Sequence, residues 1–185
     1  MKIILASNSP RRKELLAEHN IDFEVIKSDI EETLDDNKTV LENVMNLAKL
    51  KCLDVFNKNQ DRVVLAADTI VVYNNKIYGK PIDEADALKM LEEFSGNTHE
   101  VITGVCVASS KGINVNYEVS KVTFKNISEK EILDYIATKE PMDKAGSYAI
   151  QGIGSKLVLS YDGEFDNIVG LPMKLVVKML ENAKK

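Results

Sequence analysis

Ser7, Ser9, Arg11 and Arg12 fall within six residues near the start of the chain, with Lys13 directly behind. Pro10 lies among them, a residue that the first turn of a helix accepts. Hydroxyls, arginine forks and the free N–H groups of a helix start all bind anions. Three cations at that end oppose the helix macrodipole, which favours negative charge there. A bound phosphate would remove the misfit; a solvated basic first turn is the alternative these residues leave open. Serine nucleophile chemistry is excluded, because no GxSxG is present and neither His19 nor His99 has an evident acidic orienter.

Asp68 closes the apolar run 63–67, at what reads as the end of a covered strand, where open α/β sheets place ligands. A carboxylate there must be hydrated, paired or metal-bound. Capping of the next turn is its simpler role. Glu32 belongs to an acidic run with Asp29, Glu31, Asp35 and Asp36, a pattern that also describes a solvated face. Two carboxylates near phosphate would suit Mg²⁺ or Mn²⁺, which takes one or two carboxylates plus substrate oxygens. Lys51 stands beside Lys49 on a long helix, and Lys80 lies in Gly79-Lys80-Pro81; a lysine in either place, taken alone, is more often a surface charge. Gln151 is the one amide in a glycine-bracketed segment, residues 144–154, and an amide both donates and accepts, as a base edge requires. The segment matches neither GxGxxG nor a Walker loop and also serves as a turn-rich connection.

The elements that must position these groups alternate between strand and helix periods, which predicts an α/β fold. Strands are expected over 3–6, 23–26, 63–67, 70–73, 76–78, 101–108, 115–124, 157–159 and 167–169. Helices are expected from 10 to about 19, over 39–56, from a cap at Asp83 to 94, from a capping box at Ser128 to about 138, and from Pro172 onward. Ser9 is the expected cap of the first helix. Asn74-Asn75 and Asp162-Gly163 mark turns.

The 185 residues suffice for one domain with a real core. A net charge of −5 argues against general nucleic-acid binding, which needs a dominant basic surface. Cys52 and Cys106 form no CxxC pair, and the histidines have no metal-ligand spacing. No apolar run approaches membrane-spanning length and no signal-peptide core is present, so a cytoplasmic location is expected.

Taken together, the ordered stretches resemble the Maf family, the septum-formation-inhibitor-like proteins. The resemblance runs through residues 5–12, Ala67-Asp68-Thr69, Gly79-Lys80-Pro81, Ser95-Gly96-Asn97-Thr98-His99, Asp143-Lys144-Ala145-Gly146, Ile150-Gln151-Gly152 and Val169-Gly170-Leu171-Pro172. It implies one Maf-like domain over residues 1–185. It also implies a mixed, elongated sheet flanked by helices, with two lobes around a central cleft, similar to inosine triphosphate pyrophosphatases. The implied activity is hydrolysis of a nucleoside triphosphate to the monophosphate and pyrophosphate, a house-cleaning reaction that depends on Mg²⁺ or Mn²⁺.

Three positions separate the family's branches. Arg11, Thr69 and Gln151 are similar to the dTTP and UTP branch, with CTP or modified pyrimidine nucleotides as further substrates. The 7-methyl-GTP branch carries tryptophan at one of the three, and this chain has none. By the same resemblance Ser7, Arg11, Arg12, Lys51 and Lys80 hold the triphosphate. Asp68 orients or deprotonates the attacking water, and Glu32 and Asp68 hold the metal. Free aspartate, with a pKa of about 3.9, is a poor base at neutral pH, so metal-activated water fits better than a carboxylate acting alone. Thr69 and Gln151 face the base. One departure is Glu164-Phe165-Asp166, where relatives often have Asp-Tyr. Relatives are often homodimers, though no dimer face is legible here. The family name suggests a different role, that of a non-catalytic regulator of cell division or a nucleotide-binding interaction protein.

Overall fold

The computed structural model describes residues 2–184 and contains a mixed α/β arrangement. In chain order the elements are β1 (Ile3–Leu5), α1 (Pro10–Glu18), β2 (Phe23–Val25), α2 (Val40–Phe56), β3 (Val64–Tyr73) and β4 (Lys76–Tyr78). They continue with α3 (Glu84–Phe94), β5 (Thr98–Ser109), β6 (Gly112–Phe124), α4 (Glu129–Ala137), β7 (Val158–Asp162), α5 (Phe165–Val169) and α6 (Met173–Lys184). Three 3₁₀ turns, Glu140–Asp143, Ala145–Ser147 and Gly152–Leu157, fill the stretch between α4 and β7.

The seven strands form one sheet in the order β2-β1-β3-β5-β6-β7, with β4 paired to β3. The β1 strand runs parallel to both β2 and β3, whereas β3–β4 and β6–β7 are antiparallel. The chain divides into two compact units. One comprises residues 1–69, 103–118 and 170–185; the other comprises 70–102 and 119–169.

In the first unit, Ile4, Val64, Ala66, Cys106 and Ala108 from the strands, with Ala6 just after β1, pack against Ala48, Cys52 and Val55 of α2. The buried side of α2 carries Val44, Leu47, Ala48, Lys51, Cys52 and Val55, the spacing of a core-facing helix stripe. Thr39 and Glu42 form a reciprocal capping box at its start. In the second unit α3 packs against α4, and Phe94 stacks on His99 at a ring separation of 4.4 Å. Phe124 and Tyr148 close the aromatic cluster, with rings 4.8 Å apart. Asp83 caps α3, and Ser128 with Glu131 forms the capping box of α4, as the sequence predicts.

Three expectations are corrected. Asp68 does not end a strand, because β3 runs unbroken from Val64 to Tyr73 and holds Asp68 at its middle. Residues 167–169 are helical within α5, where Asn167 turns inward and donates to the Val101 carbonyl and the Ser120 hydroxyl. A three-residue segment carries too few turns of either period to separate strand from helix. Ser9 makes no side-chain cap on α1; its own N–H donates to the Ser7 hydroxyl at 3.2 Å.

Candidate active site

The first unit gathers Ser7, Arg11, Arg12, Glu32, Lys51, Asp68 and Thr69. The parallel pairing of β1 with β3 sets the loop after Leu5 beside the middle of β3. Lys51 lies on the buried stripe of α2, one turn after Leu47 and one turn before Val55, so its side chain points inward. Its ammonium meets Asp68 Oδ1 at 2.6 Å and Glu32 Oε1 at 2.9 Å. The Lys51 and Asp68 side chains are only 10% and 9% exposed, whereas Glu32 is 60% exposed. Burial of Asp68 is thus compensated by an ion pair with Lys51, which it shares with an open carboxylate.

Arg12 is also buried, and most of its fork is committed. Nε donates to the Gly170 carbonyl at 2.8 Å, and one terminal nitrogen donates to the Ala67 carbonyl at 2.8 Å and the Ser7 hydroxyl at 3.2 Å. The other donates to the Thr69 hydroxyl at 3.0 Å. A guanidinium has five N–H donors, so one remains for a ligand. Burial lowers the Arg12 pKa. The Asp68 carboxylate opposes that shift, neighbouring Arg11 adds to it, and Glu32 opposes it.

The Thr69 hydroxyl also lies 3.0 Å from that of Thr103 and 3.3 Å from the Gly170 carbonyl. Thr69 is therefore tied to the arginine cradle. Arg11 stands differently: it is half-buried and its side chain has no hydrogen bond or ion pair to a described residue. That leaves its whole fork available to an anion.

Lys80 and Gln151 belong to the second unit. Both are exposed, and neither side chain has a hydrogen-bond partner among the described residues. Thr103 and Gly170 were not singled out as individual site residues in the sequence. Gly170 adopts φ +128°, a left-handed value that favours glycine, and its carbonyl serves Arg12 and Thr69 together. Its place in Val169-Gly170-Leu171-Pro172 was the available signal; Thr103, inside the continuous strand β5, carries none. Lys51 was a candidate from the sequence, but its pairing with Asp68 and Glu32 was not foreseen; the signal was its place on the apolar stripe of α2, where a lysine requires a partner.

Among the described residues, no group of three or more His, Cys, Asp or Glu is placed to hold a metal ion. Glu32 and Asp68 nevertheless present oxygens within 2.9 Å of one cationic nitrogen. Two convergent carboxylates completed by substrate oxygens and water fit Mg²⁺ or Mn²⁺, which is seldom caged by protein alone. Cys52 and Cys106 are buried free thiols, and the hydrogen bond between them together with burial raises the Cys52 pKa far above the thiol range. Among the described residues no helix is long and apolar enough to cross a membrane.

Comparison with known proteins adds four findings. The sequence model of the family described as "Maf-like protein" matches residues 2–183. A protein of Caldicellulosiruptor bescii named dTTP/UTP pyrophosphatase is 50% identical over 186 residues, covering 97% of this chain and 94% of its own length. A Bacillus cereus protein of the same name is 49% identical over 180 residues, with the same coverage of both chains. The solved structure of the Staphylococcus aureus Ham1 protein covers 98% of this chain and 99% of its own, at 14% identity and a TM-score of 0.47.

Proposed function

The chain belongs to the Maf family, and on that premise we propose that it hydrolyses dTTP and UTP to the monophosphate and pyrophosphate. The observation that carries this reading is near-full-length identity of about half with relatives named dTTP/UTP pyrophosphatase. The geometry supports it. A buried carboxylate, an open carboxylate, a shared ammonium and an uncommitted arginine lie in one unit, a set suited to a polyanionic substrate.

In the reaction a water oxygen attacks the α-phosphorus, the bond to the α,β-bridging oxygen breaks, and pyrophosphate leaves. The water's proton passes to solvent or to a site carboxylate. Arg11 binds the phosphates with its whole fork, and Arg12 contributes its one remaining N–H while holding Ser7 and Thr69 in place. Lys51 fixes the Asp68 carboxylate, which orients the water. Glu32 and Asp68 are the residues that would hold Mg²⁺ or Mn²⁺; when bound, the ion lowers the pKa of water and offsets phosphate charge. Charge neutralisation of this kind is the main source of acceleration in phosphoryl chemistry.

Lys80 as a phosphate ligand and Gln151 as a reader of the base enter on the family resemblance. Arg11 and Thr69 contribute to substrate choice on the same ground. The acidic net charge makes nucleic acid an unsuitable partner, and a nucleotide substrate suits a cytoplasmic enzyme. Homodimer formation is part of the proposal and is read by light scattering.

The test is a panel of dTTP, UTP, CTP and GTP with Mg²⁺, scored for pyrophosphate and run in ¹⁸O water. Equimolar monophosphate and pyrophosphate, with the label in the monophosphate, is the expected result. Orthophosphate alone, label in pyrophosphate, or no turnover overturns it.

A further inference from the structure

Gln151 is exposed and precedes the 3₁₀ turn Gly152–Leu157 without capping it through its own side chain. The cap comes from elsewhere. The Glu140 carboxylate, at the start of the turn Glu140–Asp143, accepts the Gly154 N–H at 2.8 Å and the Ile153 N–H at 3.1 Å, one on each oxygen. These are orphan donors of a helical start, which a carboxylate satisfies well.

The other side of Gln151 is held through the same group. The Ala149 N–H donates to the Tyr135 hydroxyl at 3.2 Å; burial raises the pKa of that hydroxyl, and the Glu140 carboxylate stands close enough to raise it further. Burial alone would raise the Glu140 pKa, but hydrogen bonds from Tyr135, Gly154 and Ile153 bring it below the ordinary carboxylate value. Residues 149 and 153, two on either side of Gln151, are therefore tied to one Tyr135–Glu140 pair.

The fit leaves no slack. Gly152 adopts φ +73°, and a Cβ there would collide with the Glu140 carboxylate. A Cβ on Gly154 would meet the Ala149 carbonyl and lie 2.6 Å from the Tyr135 hydroxyl. A flexible, exposed amide can select between base edges only if its backbone is fixed before the base arrives, since ordering it on binding costs affinity.

We propose that Glu140, acting with Tyr135, is a positioning residue that presets the Gln151 backbone for recognition of the pyrimidine base. The proposal rests on Gln151 reading the base.

The experiment compares kcat and KM for UTP and GTP in wild type, Gln151→Ala, Glu140→Gln, Tyr135→Phe and the double variant Gln151→Ala/Glu140→Gln. Gln151→Ala is expected to reduce the preference for UTP over GTP. Glu140→Gln keeps the volume but loses one acceptor and is expected to raise KM for UTP about tenfold, on the scale of one lost hydrogen bond, with kcat little changed. Tyr135→Phe is expected to move UTP KM in the same direction, and it decides the matter should Glu140→Gln fail to fold. In the double variant the Glu140 effect on preference should vanish, because its route through Gln151 is already cut.

An unchanged preference in Gln151→Ala overturns the reading of Gln151 and the proposal with it. A changed preference in Gln151→Ala, with UTP KM and preference unchanged in Glu140→Gln and Tyr135→Phe, overturns the proposal alone. So does an equal loss of kcat on both nucleotides, or full additivity in the double variant.

Discussion

Lys51 Nζ and Asp68 Oδ1 stand 2.6 Å apart, with both side chains almost wholly shielded from solvent. The pair joins the inward stripe of α2 to the middle of β3. Glu32 approaches the same nitrogen from a segment that is neither helix nor strand, so the ammonium ties it to the two elements.

Removing one partner of this pair should be costly. Lys51→Met leaves Asp68 buried without its ion-pair partner and is expected to destabilise the protein by about 3–5 kcal/mol, the usual penalty for breaking a buried pair. Asp68→Asn keeps the size of the side chain and an acceptor for Lys51. Lys51 then keeps only the Glu32 carboxylate, so the variant should unfold at a lower denaturant midpoint than wild type but a higher one than Lys51→Met, while losing on the order of 10²-fold or more in kcat, the scale of a lost group that positions or deprotonates water. Denaturant unfolding and pyrophosphate release measure both. Retained activity in Asp68→Asn removes Asp68 from the chemistry.

Arg12 invites a substitution that would be conservative on a surface. Arg12→Lys keeps the charge but cannot reproduce donations to Gly170, Ala67, Ser7 and Thr69 from one planar fork. At least one buried carbonyl loses its donor, and the expected cost is about 1–3 kcal/mol. Thermal unfolding reads it. An unchanged Tm would mean that the cradle is filled by water rather than held by the guanidinium.

Much of this arrangement was legible in the sequence wherever local chemistry decides structure. Asp83 and Ser128 cap the helices they were expected to cap, because each side-chain oxygen accepts a nearby N–H whatever the rest of the fold does. Asn74 and Asn75 both adopt positive φ, 49° and 60°, as a tight hairpin turn requires. Asp68 was misplaced at a strand end because aspartate is a poor strand former. Lys51, seventeen residues earlier in the chain, supplies the charge that lets it lie mid-strand. Such a pairing exists only after α2 has packed on the sheet. The commitment of Arg12 to backbone carbonyls was likewise hidden, since Gly170 lies 158 residues away and any residue type supplies a carbonyl.

His99 gives the protein a pH signature. Enclosed by Phe94, Phe124 and Tyr148, it is pushed by burial from 6.5 to about 3. Between those values the unfolded chain takes up a proton that the folded protein refuses. Stability should therefore be unaffected by this group above about pH 6.5 and fall as pH drops below it, by about 1.4 kcal/mol per unit from this group. His99→Phe preserves the stacked ring and loses the titration. The difference between wild type and variant across pH 6 to 4 should show that slope; parallel curves would assign the acid limb to other groups.

Gly104 links core packing to the site. It lies on β5, and a Cβ built on it would come within 2.5 Å of the Val44 carbonyl oxygen and 2.8 Å of its carbon. These are backbone atoms of α2, so no side chain can turn aside. Gly104→Ala must push the helix outward, at an expected cost of about 1–3 kcal/mol for overpacking. Lys51 is seven residues after Val44, about two turns along the same stripe. The displacement should thus draw Nζ away from Asp68 and lower kcat as well as Tm. Val44→Ala added to Gly104→Ala should restore neither, because the collision is with the carbonyl and not the side chain. Recovery of Tm in that double variant would place the strain in the Val44 side chain and break the inferred route from β5 to Lys51.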